Sequence, residues 1–362
     1  MLPIKASSQS HNILIGVVGP NTGSLTQYGD MIREGVDTAI EHINAFGGIN
    51  GKNLETVMID DGCEPKQGSI AANRILNKKI NFVIGPVCSG ATIAVTDIYN
   101  KEGVIMITPS ATAPLVTDGK NYSFIFRTIG RDDQQGPSAA NFIIKKIRPQ
   151  KIAILHDKQS YGQGIASSVK TNLEKNGLII SSFEGINIGE NDFSSIITKL
   201  KSMKVDFVYF GGYYPEMGLL LRQASEQGFK ARFMGPEGVG NEDINIIAGE
   251  AVEGMFITLP KDFSKNPLNY KIVKDFVDKK RNAGGVFQLT AYSATQVIAD
   301  AIRNTGSMNT ILVSNYLHQN IFDTPIGNIS WNSQGDLTEF NFDVYCWHKD
   351  GSKSLFPTNS FN

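Results

Sequence analysis

Short apolar runs alternate with stretches of helical periodicity along most of the chain. A strand buried on both faces reads as a brief continuous apolar run, whereas a helix laid over it repeats apolar residues every three to four positions. On that basis the first half carries strands at Ile13 to Gly19, Glu55 to Asp60, Phe82 to Gly85, Val104 to Thr108 and Phe124 to Thr128. Helices are predicted near Tyr28 to Ala45, Gln67 to Asn77, Gly90 to Lys101 and Gln135 to Ile147. The second half repeats the grammar. Strands fall at Lys151 to His156, Ile179 to Phe183, Phe207 to Phe210, Arg232 to Met234 and Met255 to Thr258, with helices near Gly162 to Lys175, Phe193 to Lys201 and Glu216 to Gln227. Repeated βα units of this kind predict an α/β protein of two doubly wound lobes on parallel sheets.

After Pro260 the pattern turns helical again (Tyr270 to Lys280, Ala291 to Asn304, Leu312 to Gln319) and ends in an alternating strand, Glu339 to Trp347. Helices that arrive once the second sheet is complete need another surface, and the first lobe offers one. The expected lobes are therefore 12–129 plus 261–335 and 130–260 plus 336–362, with crossings near 129, 260 and 335 and a hinged cleft between. No Pro-rich or Ser/Gly-rich spacer separates them, so the lobes are expected to join tightly.

Composition narrows the function classes. At 362 residues the chain exceeds what one core usually serves. With 34 Lys+Arg against 35 Asp+Glu it has no net field to draw nucleic acid or anionic lipid. No apolar run approaches the roughly 18 residues of a membrane span. Residues 1–11 read as a disordered leader left after signal removal, or as a start added for expression. Of the five His, none has HExxH spacing, and no CxxC occurs, so neither metal nor cofactor is expected. Gly47-Gly-Ile-Asn-Gly-Lys52 lacks the spacing of a phosphate loop and reads as a helix C-cap and turn. Cys63, Cys88 and Cys346 are either three buried thiols or include one bridge.

Open parallel sheets bind ligands at the carboxyl ends of their strands, next to helix N-termini. Two such turns gather hydroxyls and amides: Gly85-Pro-Val-Cys-Ser-Gly-Ala-Thr92, with Ser89 at the helix cap, and Thr108-Pro-Ser-Ala-Thr-Ala-Pro114, with Ser110 and Thr112. Either Ser89 caps its own helix or the two neighbouring turns hold an anion. In the second half, Tyr161, Tyr213 and Glu237 follow strands; the carboxylate of Glu237, between Pro and Gly, is suited to an ammonium group. Tyr28, Tyr161, Tyr213 and Phe287 are candidates for an apolar pocket or for ordinary packing. His156-Asp157 is the best acid–base pair, but no nucleophile elbow accompanies it.

These turns, together with Ala39-Ile-x-x-Ile-Asn-Ala-Phe-Gly-Gly-Ile-Asn-Gly51, Asp60-Asp-Gly-Cys-Glu-Pro-Lys-Gln67, His156-Asp-Lys-Gln-Ser-Tyr-Gly162, Gly211-Gly-Tyr-Tyr-Pro-Glu-Met-Gly218 and Phe233-Met-Gly-Pro-Glu-Gly238, closely resemble the periplasmic branched-chain amino-acid-binding proteins of bacterial ABC importers, from about Ile13 to His348. The resemblance implies a type I periplasmic binding fold and no catalysis. It implies a free aliphatic L-amino acid (leucine, isoleucine or valine) as ligand, a membrane permease as partner, and an exported monomer. Ser89 and Thr112 would hold the α-carboxylate, and Glu237, with the Ser110 region, the α-ammonium. Tyr28, Tyr161, Tyr213 and Phe287 would surround the side chain, and Cys63 would pair with Cys88. The chain departs from the family at Ser110, usually Ala, and at Val87 and Leu289, where relatives are bulkier. The leading rival is the amino-acid- or amide-sensing domain of a receptor or regulator, which shares the fold; a second is an enzyme using His156 and Asp157.

Overall fold

The structure, a computed structural model, describes residues 12–282 and 284–356; the expected leader 1–11 and residues 357–362, the expected end of the second lobe, lie outside the described residues. The first lobe is built from β1 (Ile13–Gly19), α1 (Thr26–Ala45), β2 (Leu54–Asp60), α2 (Pro65–Asn77), β3 (Phe82–Ile84), α3 (Ser89–Lys101), β4 (Ile105–Thr108) and β5 (Ile125–Arg127). All five strands run parallel, in the order β2-β1-β3-β4-β5. Every residue of β3, β4 and β5 is buried, which is why these strands are unbroken apolar runs rather than alternating ones. Gly85 follows β3 at φ +103°, where a Cβ would sit 2.0 Å from the Val18 carbonyl oxygen. A glycine is required there for the chain to turn against β1.

The second lobe follows through α4 (Asp132–Phe142), β6 (Ile152–His156), α5 (Ser160–Lys175), β7 (Ile180–Gly185), α6 (Ser194–Ser202), β8 (Phe207–Gly211), α7 (Tyr214–Glu226), β9 (Arg232–Gly235), α8 (Ile244–Ala248) and β10 (Phe256–Pro260). The chain then returns through α9 (Tyr270–Asp278), α10 (Gln288–Thr305) and α11 (Thr310–Gln319), with α10 packed on α1. A small hairpin, β11 (Phe322–Thr324) with β12 (Gly327–Ile329), precedes the last passage to β13 (Phe342–Trp347) and β14 (Lys353–Leu355), which complete a seven-stranded sheet, β14-β13-β10-β9-β8-β6-β7.

Three expectations change. The second sheet is not wholly parallel: β13 pairs antiparallel to β10, and β14 to β13. β14 follows β13 through a short turn, the connection that antiparallel strands allow, whereas β13 reaches the sheet edge only after the long passage through α9 to α11. The helix expected to run from Gln135 to Ile147 is α only to Phe142; its last turn widens to a π turn ending at left-handed Arg148, φ 50°. The final strand begins at Phe342 rather than Glu339.

Two of the passages between lobes are tied by charge. Arg127, fully buried at the end of β5, pairs with Asp336 (2.6 Å), and Arg131 pairs with the other Asp336 oxygen (2.8 Å). Arg127 also donates to Thr117 Oγ1 (2.7 Å) and to the Ala111 carbonyl (2.9 Å), so every charge here has several partners. A buried ion pair is tolerable on those terms.

Candidate functional site

The turns after β3 and β4 lie side by side because their strands are neighbours. Thr108 Oγ1 donates to the Pro86 carbonyl (2.8 Å) and Ser110 Oγ to the Val87 carbonyl (3.0 Å), stitching one turn to the other. Ser89 is not the cap. Cys88 occupies that position in extended conformation, Ser89 is the first helical residue, and its hydroxyl accepts from the Ala113 amide (3.3 Å) across the gap between turns. The hydroxyl is thus directed toward the second turn and not back onto its own helix. A disulfide joins Cys63 to Cys88 with the Cα atoms 5.3 Å apart, clamping the α3 entry to the turn after β2, and Cys346 is a free thiol. Arg127 holds the second turn from behind through the carbonyls of Ala111 and Ala113. Amides at a helix N-terminus beside fixed hydroxyls form a seat for a carboxylate.

The opposite wall has the opposite character. Glu237, 2% exposed, follows β9, and its Oε1 accepts from Thr112 Oγ1 of the other lobe (3.2 Å), while Oε2 finds no hydrogen-bond partner. Asp132, 1% exposed at the start of α4, has neither carboxylate oxygen paired. Burial pushes the Glu237 carboxyl up to about 7, against the pull of Gln135, Tyr161 and Thr112. Burial, and then the charge of Glu237, hold Asp132 well above the usual carboxylate range. Two desolvated acids with free oxygens make a site for a small cation that brings several hydrogen bonds, such as an ammonium group.

Aromatic rings fill the rest. Tyr28 meets Phe287 at 5.4 Å and Tyr213 at 6.3 Å between centroids, and Tyr213 meets Tyr161 at 5.0 Å. Tyr28, Tyr161 and Phe287 are buried, as are Val87 and Leu289 nearby in the sequence. Gly238 is gripped from two sides: its N–H donates to Tyr161 Oη (2.9 Å), and its carbonyl accepts from Tyr28 Oη of the first lobe (2.9 Å). A Cβ there would come within 2.8 Å of Tyr161 Oη, so glycine is what lets the backbone approach. With Tyr214 Oη also donating to the Ser24 carbonyl (2.7 Å), the lobes are closed on one another.

Of the residues singled out in the sequence, Thr112 meets Glu237, Tyr28 meets Phe287 and Tyr213, Tyr213 meets Tyr161, and Ser89 and Ser110 bond the neighbouring turn. The sequence reading missed Asp132 and Arg127. Asp132 sits in a Gly-Arg-Asp-Asp run at a helix start, where an acid reads as a partner of the helix dipole. His156 and Asp157 do not form an acid–base pair. His156 Nδ1 accepts from the Lys158 amide (3.1 Å) while its ring packs on Phe183, and Asp157 Oδ1 accepts from the Gln159 amide (2.8 Å). No group of three or more potential metal ligands occurs among the described residues, and no helix there is long and apolar enough to cross a membrane.

A two-lobed α/β molecule with hydroxyl-bearing turns on one lobe facing buried acids on the other defines a class, and the comparisons agree: residues 12–352 match the periplasmic binding protein family model, and the chain belongs to that family. Within it, the chain is 51% identical over 348 residues to the leucine-, isoleucine-, valine-, threonine- and alanine-binding protein of Pseudomonas aeruginosa, covering 96% of this chain and 93% of that one. It is 44% identical over 343 residues to the Leu/Ile/Val-binding protein of Escherichia coli, covering 95% and 93%. Among solved structures, the leucine binding protein LivK of Thermotoga maritima superposes with a TM-score of 0.88 at 27% identity, covering 95% and 98% of the two chains. LivJ of Streptococcus pneumoniae in complex with isoleucine gives 0.85 at 27% identity, covering 96% and 99%.

Proposed function

We propose that this protein captures a free branched-chain L-amino acid in the cleft and presents it to an ABC importer. The observation that carries the reading is the pairing of opposites across one cleft: fixed hydroxyls and amides on the first lobe, and opposite them two buried acids without a cationic partner. An α-amino acid brings a carboxylate to the first and an ammonium to the second. Ser89 and Thr112 take the carboxylate, Glu237 takes the ammonium with help from the Ser110 turn, and Tyr28, Tyr161, Tyr213 and Phe287 enclose the aliphatic side chain. Relatives with the same lobes and up to 51% identity are named for binding leucine, isoleucine and valine, which supports the ligand class.

The ligand docks on the first lobe, whose turns are cross-linked among themselves, and the second lobe closes over it. The moving bodies are 12–129 with 261–335, and 130–260 with 336–362. Closure is driven by contacts that exist only when the lobes meet: Thr112 with Glu237 and Tyr28 with Gly238. The protein works as a monomer in the periplasm and performs no chemistry on its ligand. A thermal-shift screen of the twenty amino acids tests this, because a ligand bound to the folded state alone raises the melting temperature. Leucine, isoleucine and valine should give the largest shifts; a flat screen, or shifts confined to acidic or basic amino acids, overturns the reading.

A further inference from the structure

A second cavity, of about 280 Å³, shares none of the eight cleft residues. Its walls come from both lobes: Leu259–Lys265 follow β10, Gly284–Leu289 lead into α10, and Tyr345 and Lys353 stand on β13 and β14. Leu259, Phe263, Val286 and Leu289 make one side apolar, and Lys353 supplies the charge.

Lys353 is poorly provided for. Its ammonium lies 4.3 Å from the centroid of the Trp347 ring, and its hydrogen bond is a long one, 3.3 Å to the Gly240 carbonyl. No carboxylate of the described residues pairs with it: Asp262 is taken by Lys265 (3.1 Å) and by the Ser264 amide (3.2 Å). Burial lowers its pKa, opposed by the more distant charges of Glu242 and Asp262 and reinforced by Lys265. A partly buried ammonium without a counter-ion leaves its charge unsatisfied, and a carboxylate delivered to it would form a charge-assisted bond.

We propose that this cavity is a second ligand site, taking an organic monocarboxylate with a compact apolar body, its carboxylate on Lys353 and its body against Leu259, Phe263, Val286 and Leu289. The volume suits a six- to eight-carbon acid, and the mix of apolar wall and one polar anchor is typical of small-molecule sites. Occupancy is linked to the cleft through one turn. Gly240, which Lys353 contacts, donates its N–H to the Glu237 carbonyl (2.8 Å), and the walls approach or part as the lobes move.

Hexanoate titrated into leucine-saturated protein, followed by saturation-transfer NMR, tests the site. Expected is one saturable site, weakened roughly tenfold in Lys353→Gln, the loss of one charge-assisted contact. Lys265→Glu alters a residue that is 71% exposed and so leaves the fold intact; it should weaken hexanoate severalfold by reversing a nearby charge. Absence of saturation by about 10 mM, near the weak limit of specific binding, overturns the proposal. So does unchanged affinity in both variants. Displacement of hexanoate by added leucine overturns it too, since that places the acid in the amino-acid cleft. The readout stands whichever amino acid fills the cleft.

Discussion

The two walls of the cleft solve opposite problems. On the first lobe the Ser89 and Ser110 turns are held to one another and to the lobe through Thr108, Val87, Ala113, the disulfide and Arg127. On the other, Glu237 is buried with one carboxylate oxygen unpaired and Asp132 with both. One wall is a finished seat; the other is an electrostatic debt that a cation discharges. On the proposed function the difference places the preference for an α-amino group on the second wall, because hydroxyls and amides accommodate any carboxylate, whereas two desolvated acids are relieved best by a partner that brings positive charge.

The comparison breaks most sharply at Glu237. Glu237→Ala should weaken leucine binding by about 3–5 kcal/mol, the loss on removing one partner of a buried pair, or roughly two to three and a half orders of magnitude in Kd by calorimetry. Unchanged affinity would leave the acidic wall without a role. Breaking the disulfide tests the opposite wall. Cys63→Ser with Cys88→Ser should cost about 3.5 kcal/mol of unfolding free energy in denaturant titration, the closure entropy of a loop of this length, with a smaller effect on affinity. A loss of affinity as large as that of Glu237→Ala would mean the seat is not self-supporting.

The pH dependence sharpens the contrast further. With the folded Glu237 carboxyl near 7 and its ordinary value at 4.5, the empty fold favours the protonated acid. Stability of the unliganded protein contributed by this group is therefore full below 4.5 and lost as pH rises toward 7. Leucine needs the ionised form, so its affinity should move the other way, falling up to tenfold for each unit below 7 and each proton taken up. Calorimetry in buffers of different ionisation heat checks it: protons should be released on binding near pH 6, and a buffer-independent heat refutes the linkage. The smallest effect is expected at Ser110→Ala, which removes one hydrogen bond to the Val87 carbonyl, about 1 kcal/mol in stability and less in affinity.

The core of both lobes was readable because its signal is local. Runs such as Phe82-Val-Ile84 and Ile105-Met-Ile-Thr108 are buried throughout, so hydrophobicity and element coincide. The hairpin of β11 and β12 and the strand β14 were not foreseen, since each is a three-residue segment with exposed positions and no periodicity to read. The turns that bring Ser89, Thr112 and Glu237 together were legible as strand-end chemistry and through family motifs, while their ligand roles rest on the proposed function. Asp132 was not, because what distinguishes it from an ordinary helix-start acid is burial beside Glu237, more than a hundred residues away in the chain. Arg127 was hidden for the same reason, its partner Asp336 lying on the third passage.

That arginine has a mechanical consequence. One guanidinium both anchors the passage between lobes, through Asp336, and braces the backbone of the turn that carries Ser110 and Thr112, through Ala111 and Ala113. The axle and the seat are therefore machined from one piece. On the proposed function, a cargo that shifted the seat would also load the passage that Arg127 holds, so seat and hinge could not be altered separately.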